Sequence, residues 1–154
     1  MNHKMRKSER EISRDEAMGI LTSGEYGILS TVSEDGSPYG IPVSYAVKGE
    51  KIYFHCAKDV GHKVENLRHE NRVCFTVVGR TEILPSKFST RYESIVIFGT
   101  AREVIARKEE PLMLLIEKYS ADFLEKGRRY VESDAEKTGV YEITIEKITG
   151  KARR

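Results

Sequence analysis

The sequence predicts a mainly β fold of the α+β type, in which six antiparallel strands form a closed or partly closed barrel with short helices packed at its ends. Runs rich in β-branched and aromatic residues are separated by tight turns, as at residues 34–37, where an Asp-Gly dipeptide tolerates positive φ. The first three runs form a meander, which favours antiparallel pairing over a parallel α/β fold. Closure also removes the sheet edges that a chain of 154 residues would otherwise have to protect.

The first helix carries its own start and stop signals. Residues 1–11 are polar and are expected to be loose. Ser13 and Glu16 follow in a capping-box pattern, in which each side chain satisfies the backbone N–H of the other residue. Gly24 ends the helical spacing, so a short helix is predicted over residues 14–23.

Three strands are predicted next, over residues 26–32, 39–47 and 51–57. Pro42, within the second of them, has no N–H to donate to a sheet ladder. It therefore marks an edge, a bulge or a place where something other than a strand lies alongside.

The remaining elements alternate between helices and longer strands. Gly61 precedes a short helix that is expected to end at Asn71. Strands are predicted over residues 72–78, with an extension to Leu84 left open, and over 92–104 and 138–147. Between the last two, a helix begins at residues 108–110 and a second helical piece lies within 121–134.

Length and composition predict one domain over residues 1–154, with enough apolar residues, at 39%, for a single core. The 26 basic and 24 acidic residues nearly cancel, so the charge does not predict a nucleic-acid-binding protein. Basic residues gather at both ends of the chain, and the simplest interpretation is that these ends are solvated and frayed. Two cysteines without metal-binding spacing, no membrane-length apolar run and no signal-peptide pattern predict a soluble cytoplasmic protein with two buried free thiols.

Residues 59–66 have the features of an anion site. Backbone N–H groups at a helix start lack intrahelical partners and lie at the positive end of the helix dipole. Gly61 allows close approach of the backbone, and His62 and Lys63 add donors and charge. The spacing matches neither of the common phosphate-binding fingerprints, so a capped surface helix with a solvated lysine remains the alternative.

His55 is the second candidate site residue. Alternation in the third strand places it on the face opposite Phe54 and Cys56. A histidine in this position is more often structural than catalytic, and both interpretations stay open. The four histidines, His3, His55, His62 and His69, show no metal-binding spacing, so no metal site is predicted.

Residues 91–94 combine an arginine, an aromatic residue and a hydroxyl at the start of a strand. This group could contact a planar anionic ligand. An ordinary junction between a loop and a strand is the alternative.

Four segments carry a family resemblance: Gly-Ile-Pro-Val-Ser-Tyr (40–45); Ile-Tyr-Phe-His-Cys-Ala (52–57) with Gly-His-Lys (61–63); Arg-Tyr-Glu-Ser-Ile-Val-Ile-Phe-Gly-Thr-Ala-Arg (91–102); and Ile-Thr-Gly-Lys (148–151). In this order they resemble the flavin-binding split-barrel superfamily typified by pyridoxamine 5'-phosphate oxidase. Within it, the sequence is most similar to the nitroimidazole-resistance (Nim) proteins. The Arg-Leu-x-Pro-type ending of the oxidase itself is absent, which argues against a vitamin B6 substrate.

The resemblance implies a six-stranded split barrel and a homodimer that binds two molecules of flavin mononucleotide (FMN) in clefts between its subunits. The strand at Pro42–Ser44 is expected along the flavin ring, and the strand at His55–Ala57 beside it. The turn at His62 and Lys63 is expected to hold the phosphate. The segment at Arg91–Ser94 is expected to contribute to the cleft of the partner subunit. In Nim proteins the position that matches His55 is a functional histidine near the flavin, which makes His55 the catalytic candidate. The cofactor-binding residues implied are Pro42, Val43, Ser44, His55, Cys56, Ala57, His62, Lys63, Asn66, Arg91, Ser94 and Lys151.

The resemblance implies two alternative functions, and it also leaves open which cofactor is bound. The first is an FMN-dependent oxidoreductase that reduces an acceptor such as a nitroaromatic compound, with flavin chemistry positioned by the protein. The alternative is a flavin-binding module that stores or senses FMN without turnover. The same fold with haem or a deazaflavin in place of FMN is a further alternative.

Overall fold

The structure, a computed structural model, describes residues 3–154. Its strands are β1 (Glu11–Ile12), β2 (Gly27–Val32), β3 (Pro38–Val43), β4 (Ala46–Lys48), β5 (Lys51–Ala57), β6 (Arg72–Leu84), β7 (Ser89–Glu103) and β8 (Thr138–Arg153). Its helices are α1 (Arg14–Ser23), α2 (His62–His69), α3 (Glu109–Tyr119) and α4 (Leu124–Asp134). None of the described helices has the length and apolarity needed to cross a membrane.

All eight strands belong to one antiparallel sheet, in the order β3-β2-β6-β7-β8-β5-β4, with β1 paired to β8. The described pairings leave the sheet open between its edge strands β3 and β4, although these two strands are consecutive in the chain. This open seam gives the split barrel that the sequence predicted. Pro42 lies in β3, so its missing N–H falls on an edge strand, as expected.

The strand count of six was wrong, because residues 3–154 form eight strands. One extra strand arises because the predicted strand over residues 39–47 breaks between β3 and β4. The Tyr45 side chain is buried at the break, and its hydroxyl donates to the Leu21 carbonyl. The backbone N–H of Tyr45 donates to the Tyr119 hydroxyl at 2.9 Å, and Lys118 Nζ donates to the Tyr45 carbonyl at 2.9 Å. Side chains of α3 thus replace the ladder bonds of Tyr45, and the strand ends there.

The other extra strand lies in the segment expected to be loose. Ser8–Arg10 form a 3₁₀ turn, and β1 pairs Glu11 with Lys151 and Ile12 with Gly150. Met1 and Asn2 of that segment lie outside the described residues.

The carboxyl end of the chain is also ordered, contrary to the expectation of fraying. It runs in β8 as far as Arg153. Arg154 then pairs with Glu16 at 2.9 Å and with Glu93 at 3.5 Å. This end is ordered because it pairs with distant parts of the chain, and the local charge pattern does not indicate such pairing.

Two apolar clusters hold the fold together. The larger fills the interior of the sheet, where Leu29, Phe54, Phe75 and Ile143 have no exposed surface. The smaller joins α3 and α4 to the sheet through Ala46, Leu112, Leu115, Val131, Ala135 and Val140. Because Val140 is the register partner of His55, the smaller cluster lies next to the catalytic candidate.

Candidate functional site

The predicted anion site is a glycine-capped helix start. Gly61 has φ 102°, a conformation that glycine adopts without the steric cost of a side chain. The carbonyl of Gly61 accepts the N–H groups of Val64 at 3.0 Å and Glu65 at 3.1 Å. The N–H groups of His62 and Lys63 come before these first helical bonds, at the positive end of α2. This donor set suits a terminal phosphate such as that of FMN.

His62 is held on the hairpin of β2 and β3. Its Nε2 lies 2.9 Å from Ser33 Oγ, and its ring centroid lies 4.0 Å from that of Tyr39. Asn66 is buried, and its amide donates to Thr31 Oγ1 at 2.9 Å. Both side chains therefore fix α2 against the hairpin.

The groove between this hairpin and α2 carries acidic side chains. Its volume is about 450 Å³, and its lining includes the carboxylates of Glu34, Asp35 and Glu65 as well as His62 and His69. Carboxylates repel a phosphate, so this side of the helix start is unsuitable for one. An anion is better placed on the other side, towards Lys63 and β5.

Lys63 acts on the residues of β5 that were predicted beside the flavin. Burial, more than the charge of Lys63, lowers the pKa of His55. Burial also raises the pKa of the Cys56 thiol, and Lys63 partly opposes that change. The charge of Lys63 therefore reaches both His55 and Cys56, although these two side chains lie on opposite faces of β5. Cys56 and Cys74 are both free thiols, but only Cys56 is buried, whereas both had been predicted to be buried.

The alternation predicted for β5 is confirmed. Phe54 and Cys56 are buried, whereas His55 and Ala57 are exposed. The His55 ring is open to solvent on one side and faces apolar residues of α3 and α4 on the other.

We expect the imidazole of His55 to titrate below its ordinary pKa of 6.5. The unfolded chain binds a proton at the ordinary value, so folding stability falls as the pH decreases from there towards the folded pKa and then levels off. NMR titration of the ring protons measures this midpoint. In the Lys63→Ala variant the midpoint should rise but remain below the ordinary value, because burial is the larger cause. A wild-type midpoint at or above that value would contradict the expectation.

The residues predicted along the flavin ring lie at the open seam. Pro42 and Val43 are the last residues of β3, an edge strand, and the exposed Ser44 follows them. Pro42 is exposed as well, so its ring is accessible from the seam.

Arg91, Ser94 and Lys151 form a separate group. Ser94 is the register partner of Lys151, and Arg91 donates to Glu82 at 2.9 Å. Ala57, at the end of β5, is instead the register partner of Thr138 at the start of β8. At about 3.3 Å per residue, roughly 40 Å of strand separates Thr138 from Lys151. Within one chain, the predicted site residues at the end of β5 therefore lie at one end of β8, and Ser94 and Lys151 lie at the other end.

Sequence reasoning treated the helices after β7 only as packing elements, yet α3 and α4 border His55. A half-open cavity of about 120 Å³ lies between them and includes Tyr130 and Val131. The sequence feature that could have pointed to this cavity is Tyr130, a large aromatic residue that is exposed although its neighbour Val131 is buried. Its position beside His55 depends on tertiary packing. Among the described residues, no group of three or more His, Cys, Asp or Glu side chains could hold a metal ion.

Solved structures with this fold share little sequence identity with the chain. A conserved hypothetical protein from Mycobacterium tuberculosis is 19% identical, with a TM-score of 0.83 over 98% of this chain and 91% of its own. A proposed 5-nitroimidazole antibiotic resistance protein from Bacteroides thetaiotaomicron is 20% identical, with a TM-score of 0.75 over 92% and 86%. A protein from Mycobacterium smegmatis that binds FAD and haem is 16% identical, with a TM-score of 0.68 over 94% and 74%. These likenesses show the fold.

The family is shown by the sequence itself. No protein of curated function matches the chain significantly. The family profile described as pyridoxamine 5'-phosphate oxidase matches residues 13–152, which is most of the chain from α1 to the end of β8. The chain belongs to the pyridoxamine 5'-phosphate oxidase family.

Proposed function

We propose that the protein is an FMN-dependent reductase of small molecules. The observation that carries the proposal is the glycine-capped start of α2 with Lys63 in its first turn. The charge of Lys63 helps to lower the pKa of His55, which lies in β5 beyond the three residues that β4 pairs. This arrangement combines an anion site with a proton-bearing group. When bound, FMN supplies the two-electron redox chemistry, and the chain supplies position, charge and protons.

FMN is preferred over FAD and haem because of the donor set. The corner offers one lysine and the amides of a helix start, which suit a single terminal phosphate. The FAD- and haem-binding protein named above has the same fold, so these ligands are the alternatives to test.

The proposed reaction takes two electrons from a reduced nicotinamide and passes them to a nitroaromatic acceptor. The nitro group takes up these electrons and two protons and becomes a nitroso group and water, while the nicotinamide is oxidised. His55 is proposed to donate a proton to the acceptor. The donor is the imidazolium form, which the lowered pKa makes a stronger acid, and the neutral ring left after the transfer takes up a proton from solvent.

The absorption spectrum of the purified protein, before and after addition of FMN, tests cofactor binding. Anaerobic addition of a reduced nicotinamide should bleach the flavin band, and a nitroaromatic compound should restore it. Protein that stays colourless with FMN would refute the proposal. Flavin that binds but is neither bleached nor restored would favour a storage or sensing module, and a haem or deazaflavin spectrum would change the ligand.

We expect His55→Ala to lower turnover by about a hundredfold, a magnitude typical of general acid catalysis. The dissociation constant of FMN should change much less, because Lys63 and the α2 amides remain. Steady-state kinetics and an FMN titration separate the two effects. His69→Ala removes an exposed histidine from the other end of α2 and serves as the control. Equal turnover in wild type and His55→Ala would show that His55 is a structural residue and does not take part in catalysis.

We also propose a cytoplasmic homodimer with the flavin site between subunits. The two free thiols suit a reducing compartment. Arg91, Ser94 and Lys151 lie far along β8 from the corner of the same chain, so a second copy would have to bring them to it. The hairpin of β6 and β7 also exposes apolar side chains near its tip, with Ile83 of β6 75% exposed and Phe88 of the connection 98% exposed.

We expect Phe88→Asp to shift the protein from dimer to monomer, raising the dimer dissociation constant at least tenfold. Phe88 has φ 47°, a conformation that aspartate adopts more readily than phenylalanine, so the subunit itself should not be destabilised. Sedimentation velocity measures the change, and Phe123→Asp alters another exposed phenylalanine as the control. A wild-type monomer, or an unchanged dimer in Phe88→Asp, would contradict the expectation.

A further inference from the structure

We propose that the cavity between His55 and the α3–α4 pair binds one uncharged aromatic ring. It would be the acceptor site of the reductase, and in that respect the inference rests on the proposed function. The cavity is lined by Leu112, Leu115, Ile116, Val131 and Ala135 inside and by polar groups at its edge.

The size of the cavity limits what it can hold. Its volume is about 120 Å³. Apolar cavities of about 150 Å³ accept a benzene ring, so a half-open cavity of this volume can take a single ring. A fused two-ring system exceeds it.

The distribution of polar groups sets the orientation and charge of the ligand. Leu115 and Val131 are buried, so the interior favours an apolar ring face. His55, Asp134 and Thr138 also line the cavity. The Thr138 hydroxyl already donates to the Asp134 carbonyl, so the His55 ring is the group that can donate a hydrogen bond to an acceptor substituent such as a nitro group. The Asp134 carboxylate disfavours an anionic ligand. The substituent of a neutral ring would therefore point towards His55.

Tyr130 lines the cavity but stays largely exposed, so it contributes little to the packing of the helices. Its ring is 63% exposed, although Val131 and Ala135 of the same helical segment are almost completely buried. A ring bound in the cavity would contact the Tyr130 side chain and cover some of its surface, and aromatic contacts of this kind stabilise binding.

Binding of nitrobenzene and 1-nitronaphthalene to the protein, measured both with and without added FMN, tests the inference, with saturation-transfer NMR and calorimetry as readouts. Nitrobenzene should bind, and 1-nitronaphthalene should bind at least tenfold more weakly. Ala135→Leu, which fills the cavity, should weaken nitrobenzene binding at least tenfold, and Tyr130→Ala should weaken it at least threefold. Phe123→Ala, which removes an equally exposed ring from outside the cavity, should leave it unchanged.

Two results would overturn the inference: equal affinity for both compounds, or nitrobenzene binding that neither Ala135→Leu nor Tyr130→Ala weakens. Tyr130→Ala keeps the test valid if Ala135→Leu fails to fold, since Tyr130 is exposed. FMN affinity is measured separately on every variant. If the protein binds nitrobenzene as stated but not FMN, the cavity stands and the proposed function fails.

Discussion

We expect Lys63→Ala to bind FMN roughly 10- to 150-fold more weakly than the wild-type protein. A hydrogen bond to a charged group contributes about 1.5–3 kcal/mol, and about 1.4 kcal/mol corresponds to a tenfold change in dissociation constant. Lys63 lies in the first turn of α2, where its ammonium adds to the helix dipole at the proposed phosphate position. Fluorescence titration of FMN gives both dissociation constants.

Lys58→Ala is the matched control, because it removes the same charge from an exposed lysine in the turn before Gly61. A general electrostatic effect would weaken FMN binding in both variants, whereas a direct contact weakens it only in Lys63→Ala. Raised salt should reduce any effect of Lys58 strongly, since screening acts most on distant exposed charges. Identical FMN affinities in wild type and Lys63→Ala would place the phosphate elsewhere.

We expect Gly99→Ala to destabilise the fold by about 3 kcal/mol, at the upper end of the range for overpacked interiors. A Cβ at Gly99 would lie 2.3 Å from the Thr144 carbonyl oxygen, a backbone atom that cannot move without disturbing β8. The register of β7 against β8 shifts between Phe98 and Gly99, and this close approach belongs to that bulge. At about 2–4 °C per kcal/mol, the melting temperature should fall by roughly 6–12 °C.

Gly19→Ala provides the opposite case with the same chemical change. Gly19 is exposed in the interior of α1, and apart from the neighbouring residues and the backbone of the helix itself no heavy atom lies within 4 Å of a Cβ built there. Alanine should therefore stabilise the protein by about 0.5–1 kcal/mol, because glycine has the larger entropy cost in a helix. Denaturant unfolding compares both variants with wild type. Equal stability of Gly99→Ala and Gly19→Ala would show that β8 yields at the bulge.

Features whose causes are local could be predicted from the sequence. The α1 helix has the predicted bounds, and its capping box of Ser13 and Glu16 is formed as expected. The faces of β5 follow its alternation, and Gly61 caps α2 where the glycine predicted a break. In each case the determining residues lie within a few positions of one another, so propensity, capping and periodicity are sufficient.

Features that depend on distant partners could not be predicted. The predicted second strand breaks at Tyr45 because Lys118 and Tyr119, more than seventy positions away, satisfy its backbone. The β1 strand exists because Glu11 and Ile12 find the far end of β8.

The sequence by itself determined the family, the mainly β fold and the helix start that carries Lys63. The tertiary structure decided that His55 faces a cavity formed with Tyr130, and that Arg91, Ser94 and Lys151 lie at the opposite end of β8 from this corner. The physical reason is the range of the forces involved. Backbone preferences and caps act over a few residues, whereas strand pairing and burial bring together residues that no local pattern relates.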